Sequence, residues 1–403
     1  DVGTDRYIST LSTSVDSWII DGKKVQSTQK PTIVSSTLTW EKVTTLDLGL
    51  DARFFNDALG VTFDWYNRTT SDILTTANLP ATLGADAPYE NMGTIQTKGW
   101  ELAIDYRHTF KNGLHFGVTA SVADDKTEVT KWTYNTKIPS YGATGWWDKS
   151  AYKEGMVLGD IWGLQFDRFL TEDDFNADGS LKAGLPDQTK VFPAGYQFAP
   201  GDVLYKDLDN NGEIVKQTNT NDKGDLSVIG NALPRLQFGL NLDAAWKGFD
   251  ISMFFQGVAK RKLWAAGNQV LPGFTTGEPF YKGAEDYWTP ENTDAFYPRP
   301  MDYKQSASGN YSVNDRYLLN MAYLRLKTFT VGYSLPKVWL SKFKVQGLRV
   351  YFTGENLFTI DGVKPAIDPE IGIRTASGKS DQRNFGRSYP YQKTVSFGIQ
   401  LSL

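Results

Sequence analysis

The chain has 403 residues, 46 of them acidic and 42 basic, for a formal charge of −4 and a pI near 5.4. It carries no basic tract, which argues against nucleic acid as a partner. It has no cysteine, so disulfides, thiol catalysis and thiolate metal sites are excluded. Mean hydropathy is −0.39 and no run of about 18 apolar residues occurs, which excludes helical membrane spans.

Residues 1–41 read as loop with room for one strand. Residues 45–54 then state the organising pattern. Leu46, Leu48, Leu50, Ala52 and Phe54 alternate with Thr45, Asp47, Gly49, Asp51 and Arg53. A period of two gives a strand with one apolar and one polar face. The pattern returns at roughly 60–75, 95–109, 114–128, 157–168, 235–247, 249–263, 320–335, 347–358 and 390–402. On 236–246, Leu236, Phe238, Leu240, Leu242, Ala244 and Trp246 oppose Gln237, Gly239, Asn241 and Asp243. Strands of about ten residues cross a bilayer when tilted. The 12 Trp, 20 Tyr and 23 Phe suit the aromatic girdles of such a barrel.

A soluble β-sandwich also alternates apolar with polar. The connections separate the two, because here they alternate in length. Asn56-Asp57-Ala58-Leu59, Lys111-Asn112-Gly113 and Lys247-Gly248 are short, and Pro336–Gly347 is modest. The stretches near 76–94, 129–156, 264–319 and 359–389 are long. Tight turns at one end and long loops at the other are the outer-membrane pattern. The parity asks for one more strand between 168 and 235, with Asp202–Lys206 as the candidate. The fold expected is all-β, a transmembrane antiparallel β-barrel with long extracellular loops.

Several blocks resemble the C-terminal barrel region of the SusC/RagA family of TonB-dependent outer-membrane transporters. They are Leu38-Thr39-Trp40-Glu41-Lys42 with Leu48-Gly49-Leu50-Asp51, then Phe63-Asp64-Trp65-Tyr66-Asn67-Arg68-Thr69 with Asp72-Ile73-Leu74. Asn91-Met92-Gly93 follows, with Lys98-Gly99-Trp100-Glu101, then Gly201-Asp202 and Asp225-Leu226-Ser227-Val228-Ile229-Gly230-Asn231. Tyr323-Leu324-Arg325-Leu326-Lys327, Gly332-Tyr333-Ser334-Leu335-Pro336, Gly354-Glu355-Asn356-Leu357-Phe358, Asp368-Pro369-Glu370 and Phe397-Gly398 complete the set. The resemblance implies a barrel of about 22 strands around an N-terminal plug. It implies import of glycan or peptide fragments, with a SusD-like lipoprotein as lid and the TonB complex as energy source. Residues 1–41 would then be a loop and strand of the upstream barrel, and 42–403 its C-terminal portion with an insertion at 171–234. The plug, the TonB-contacting segment and the first barrel half would come from an N-terminal half upstream of Asp1 or from a second polypeptide, and the location would be the outer membrane of a Bacteroidetes-like cell. A porin-like diffusion channel and a soluble β-rich glycan-binding module are the rival readings.

Three constellations carry possible chemistry. Asp207, Asp209, Asn211 and Gly212 open like a calcium loop, with oxygens at alternate positions and a glycine for the sharp turn. Thr218 stands where a bidentate Glu belongs, so Asp222 or Asp225 would have to substitute; the plain alternative is a polar turn whose side chains cap their own backbone. Trp146 and Trp147 in one long loop, and Tyr287 and Trp288 in another, offer ring faces to a sugar or peptide, or else pack their loops or meet the lipoprotein. Asp47, Asp51, Arg53, Asp64, Glu101, Asp105 and Arg107 would line the lumen. Paired carboxylates are a glycosidase requirement, yet a polar barrel wall supplies such pairs by construction, so no enzyme is expected. No nucleotide, zincin or nucleophile-elbow motif occurs.

Overall fold

The computed structural model describes residues 8–9, 12–28, 33–76, 87–133, 152–216, 223–265, 267–274, 280–301, 309–340, 345–364, 367–370 and 389–402. Its strands in chain order are β1 (Thr13–Ile20), β2 (Lys23–Thr28), β3 (Lys42–Phe54), β4 (Leu59–Thr76), β5 (Tyr89–Thr109) and β6 (His115–Trp132). They continue with β7 (Asp160–Gly163), β8 (Phe166–Phe169), β9 (Val203–Tyr205), β10 (Ser227–Asn231), β11 (Arg235–Trp246) and β12 (Phe249–Lys260). The last are β13 (Lys262–Leu263), β14 (Leu319–Asn320), β15 (Tyr323–Ser334), β16 (Gly347–Asp361) and β17 (Thr394–Ser402). A single α-helical turn, Lys337–Leu340, lies between β15 and β16.

Nine of these strands form one antiparallel sheet in the order β17-β16-β15-β12-β11-β6-β5-β4-β3. Each is paired with its sequence neighbour in the sheet, the arrangement of an up-and-down meander. Three of the alternate connections are tight, and the fourth, 335–346, is a modest one with a helical turn. Phe55, Asn56 and Asp57 turn β3 into β4 with φ of +57°, +53° and +63°, a left-handed region that Asn and Asp tolerate. Lys247 and Gly248 join β11 to β12 with positive φ at both positions, as a two-residue hairpin that follows the strand twist demands. The intervening connections run over 77–88, 133–234, 261–322 and 362–393.

The register lays the two faces out as continuous rows. Leu50, Phe63, Leu102, Val122 and Phe238 are successive cross-strand partners on one face. Asp51, Thr62, Ala103, Ser121, Gly239, Gln256, Arg325 and Thr359 succeed one another on the other. The apolar row is exposed: Leu48 shows 60% of its surface and Phe397 82%. A soluble sandwich would bury that face, since leaving a large apolar side chain in water forfeits about 1.5–3 kcal/mol. The polar face is concave, with a hollow of about 530 Å³ lined by Thr62, Asp64, Glu101, Ser121, Gln237 and Gln256.

The buried core lies in the long connections, not under the sheet. One cluster gathers Ile161, Trp264, Leu271, Tyr297, Tyr311, Tyr317 and Met321. A second gathers Leu164, Phe169, Val203, Tyr205, Ile214, Leu226 and Trp288. Segments 157–168 and Asp202–Lys206 belong here and not to the main sheet. β7 pairs with β10 and β8 with β9, as small two-stranded sheets. No further main-sheet strand is needed between 168 and 235: β6 pairs directly with β11, and the short-long alternation is unbroken without one.

Candidate functional site: the polar wall and the outer loop assembly

Several charges of the polar wall are paired within it. Arg53 donates to Asp105 at 2.7 Å, Thr62 to Asp51 at 2.7 Å, and Arg349 to Asp250 through two nitrogens at 2.9 and 2.5 Å. Towards the long-loop end stands Arg325, only 3% exposed. It donates to Asp368 at 2.6 Å, to Glu370 at 2.5 Å and to Thr359 at 2.8 Å. Lys327 and the Tyr323 hydroxyl also reach Glu370. The Tyr391 ring closes the site, 5.3 Å from the Arg325 guanidinium and 4.5 Å from the Lys327 ammonium. A buried cation is tolerated only when so paired and hydrogen-bonded. The connection after β16 is thereby pinned to the wall. Two sequence blocks with no visible relation, 323–327 and 368–370, prove to be ionic partners.

Three other blocks meet at the long-loop end of β3, β4 and β5. Asp72 sits in an irregular stretch of β4 with φ +59°. Its carboxylate pairs with Lys42 at 3.1 Å. Its carbonyl accepts from Asn91, which also exchanges hydrogen bonds with the backbone of Thr39. Glu41 takes the Leu74 amide at 2.8 Å. These residues set where the regular ladder gives way to loop.

The loop assembly is held by Asp202, which is fully buried. Arg299 donates to it at 2.8 and 3.2 Å, the Tyr196 hydroxyl at 2.8 Å, the Asn310 amide at 3.0 Å and the Ala199 backbone at 2.9 Å. This one carboxylate therefore ties the 133–234 connection to the 261–322 connection. Burial, reinforced by the adjacent Asp202 charge, drives the Tyr196 hydroxyl well above the usual phenol range.

The acidic loop closes on itself. Carboxylate oxygens of Asp207, Asp209 and Asp225 lie within 4.8 Å of one another, so Asp225 is the residue that joins the first two. Asp225 accepts the Leu208 and Val215 amides at 2.8 and 2.7 Å. Asn211 stands beside them, donating to Asp209 at 3.0 Å while its oxygen takes the Glu213 amide at 2.8 Å. Gly212 has φ +85°, the turn the spacing predicts, and its amide donates to Asp207 at 2.8 Å. The like charges are felt. Desolvation raises the Asp209 pKa, and the Asp225 and Asp207 charges add to it. Desolvation also acts on Asp207, but the Gly212 and Asn210 amides outweigh it and lower that carboxyl. Thr218 and Asp222 lie outside the described residues, as do Trp146 and Trp147.

Tyr287 and Trp288 part company. They are neighbours on an extended segment, so their side chains leave on opposite sides. Trp288 is 8% exposed and packs in the loop core, where its ring fills the space a side chain at Gly201 would occupy. Tyr287 is 40% exposed and borders a cleft with Phe280, Tyr281, Tyr297 and Tyr311. Of that pair, only Tyr287 is offered to a ligand. Adjacency in sequence suggested a shared role; strand geometry divides it.

An open antiparallel sheet with an exposed apolar face, a charged concave face and large loops at one end defines the wall of an outer-membrane β-barrel. Comparison with known proteins agrees. Residues 5–357 match the family model described as TonB dependent receptor-like, beta-barrel, and the chain belongs to that family, one of receptors and transporters. It is 27% identical over 395 residues to TonB-dependent receptor P3 of Formosa agariphila, covering 95% of this chain and 36% of that protein. It is 24% identical to TonB-dependent receptor SusC of Bacteroides thetaiotaomicron, covering 95% of this chain and 34% of that protein. Among solved structures, the RagAB peptide importer in its open-open state aligns over the whole chain, with a TM-score of 0.66 at 20% identity, covering 38% of the RagAB chain. The chain thus spans little more than a third of the length of the relatives it matches.

Proposed function

We propose that the whole protein imports glycan or peptide fragments across the outer membrane of a Gram-negative, Bacteroidetes-like cell. The residues described here form the barrel wall and the outer vestibule. An upstream barrel half and plug complete the pore, the TonB complex supplies the energy, and a SusD-like lipoprotein covers the mouth. The observation carrying this reading is the placement of mass. A compact assembly with its own apolar core sits on one end of a sheet whose other end has three tight turns and one modest connection, 335–346. A diffusion pore has no need of such an assembly, and a soluble module would not expose the apolar face. The names borne by SusC and by the RagAB importer favour the same reading. The test is uptake of labelled oligosaccharide and peptide mixtures by cells with and without the full-length gene. Uptake should require the gene and stop when a protonophore removes the energy source. Persistence after the protonophore would favour a diffusion channel, and extraction of the protein without detergent would favour a soluble module.

We also propose that the loop of Asp207, Asp209 and Asp225, with Asn211 beside them, holds a calcium ion. Three carboxylate oxygens within 4.8 Å suit ligation at about 2.3–2.6 Å, and a divalent cation would relieve their mutual repulsion. Protease resistance of residues 200–230 should fall with a chelator and return with calcium. Equal resistance in both conditions would leave the segment a hydrogen-bonded turn.

A further inference from the structure

The loop assembly contains a second feature that the wall and the acidic loop do not use. A cleft of about 600 Å³ is lined by Pro272, Phe280, Tyr281, Lys282, Ala284, Glu285, Tyr287, Tyr297, Pro298, Pro300 and Tyr311. Its size falls in the range of small-ligand sites, about 300–1,000 Å³. Phe280, Tyr281 and Tyr287 are 62%, 38% and 40% exposed, so ring surface faces the solvent side of the cleft. Large exposed aromatic area costs free energy unless something covers it.

The deep wall is built. Tyr311 is 4% exposed, stacks edge-on against Tyr317 at 5.2 Å, and lines the cleft. Among the described residues no hydrogen bond ties its hydroxyl, and it is not one of the fully buried polar atoms left unpaired, as the hydroxyl of Tyr317 is; it lies on the cleft wall. Its neighbour Tyr297 differs: that hydroxyl donates to the Val270 carbonyl at 3.0 Å and is committed to holding the wall. The Tyr311 hydroxyl is therefore the polar group at the back of the cleft that a ligand can satisfy.

The chemistry of the ligand follows from what the walls lack. Recognition of an extended peptide by strand addition rests on main-chain hydrogen bonds. Here Pro272, Pro298 and Pro300 have no N–H to offer. The Trp288 and Tyr297 amides are spent on the Tyr297 and Asp286 carbonyls at 3.0 and 2.9 Å. The Tyr287 carbonyl accepts from the Asn292 side chain at 3.2 Å. A peptide would find few main-chain partners along these walls, its carbonyls being left chiefly to the Tyr311 hydroxyl and the Lys282 ammonium. A sugar brings its own O–H donors, which phenol oxygens and the Glu285 carboxylate can accept, and its rings present C–H faces to the aromatic planes. Lys282 and Glu285 carry opposite charges, so the cleft selects no net charge.

We propose that this cleft binds a short, uncharged oligosaccharide, stacked on Tyr281 and Tyr287 with a hydroxyl on Tyr311. The proposal rests on the import reading above and narrows it from glycan or peptide to neutral glycan. The experiment is calorimetry on the full-length protein in detergent against cellohexaose, laminarihexaose, xylohexaose and mannohexaose, with hexaalanine as the peptide probe. At least one hexaose should bind. Tyr287→Ala should weaken it by at least tenfold, and Tyr311→Phe by about 2–10-fold, the worth of one hydrogen bond. Leu48→Ala, on the far apolar face, should leave it unchanged. Hexaalanine binding with the same dependence on Tyr287 overturns the ligand class. Failure of every hexaose, or hexaose binding indifferent to both tyrosines, overturns the site. Energy-dependent uptake is measured separately in cells, so the import reading can stand if the cleft falls.

Discussion

Replacing Asp202 with alanine should loosen the loop assembly without opening the sheet. The substitution removes the shared acceptor of five donors at once: both Arg299 nitrogens, the Tyr196 hydroxyl, the Asn310 amide and the Ala199 backbone N–H. Removing one member of a buried ion pair costs roughly 3–5 kcal/mol, mostly because the other charge is left unpaired. Arg299 keeps 27% of its side-chain exposure and can hydrate in part, so the lower end applies, about 3 kcal/mol. At 1.4 kcal/mol per decade this is about a hundredfold rise in local opening. Hydrogen exchange on the full-length protein reads it directly, because opening energies differ from region to region within one chain. The informative amides are Val203, which donates to Asn310, and Tyr205, which donates to Gln188. The double change Asp202→Leu with Arg299→Met removes both charges and should recover most of the protection. A rise under tenfold at Val203 and Tyr205, in an Asp202→Ala protein with unchanged exchange across β11 and β12, would refute the assignment of Asp202 as the pin.

Leu48→Arg puts a charge on the apolar face at a cost of roughly 2–4 kcal/mol near the bilayer centre. It should reduce heat-modifiable, folded protein on gels far more than Asp47→Asn, and equal effects would mean the faces are reversed. The Arg168 guanidinium beside Asp174, donating at 2.6 and 2.8 Å, holds that carboxyl down at about 2, helped by the Thr171 amide and hydroxyl. A depressed acid contributes stability above its unfolded value of 3.8 and loses it as pH falls through about 2. Pepsin cleavage after Phe169 should thus stay slow at about pH 4 and accelerate towards pH 2, and a pH-independent rate would contradict the pairing. Arg325→Met leaves Glu370 with Lys327 and takes from Asp368 its Arg325 partner, and tryptic cutting after Lys364 should rise at least tenfold. No change would mean the connection after β16 is held elsewhere.

Much of the sheet was legible because a two-faced strand writes its face into every second residue. Leu46 to Phe54 and Leu236 to Trp246 declare both strand and orientation, and the short turns marked the paired neighbours. What misled was the loops. Segment 157–168 and Asp202–Lys206 have short apolar runs that resemble a membrane strand locally, yet they pair as β7, β8 and β9 in small sheets. The sequence has no local mark for which core a short strand joins, because that depends on partners tens of residues away. For the same reason the link from Arg325 to Asp368 and Glu370 was invisible. The acidic loop was half legible. The spacing of Asp207, Asp209 and Gly212 announces itself; the sequence left Asp222 and Asp225 as alternatives for completing the loop, and folding brings Asp225 to it. Tyr311 gave no signal, since its meaning lies in a hydroxyl that no hydrogen bond ties among the described residues.

β6 and β11 are adjacent in the sheet, yet the chain leaves one at Trp132 and enters the other at Arg235. The entropy of closing such a loop grows only with the logarithm of its length, about 0.6 kcal/mol for each doubling. Halving or doubling this connection would therefore barely disturb the strand pairing beneath it, provided the loop keeps a core of its own. The lower structure must hold its register and its two faces, which leaves little freedom for change. The upper structure is anchored by a few ionic contacts and is thermodynamically cheap to resize. Variation in the upper structure can accumulate there while the wall stays fixed.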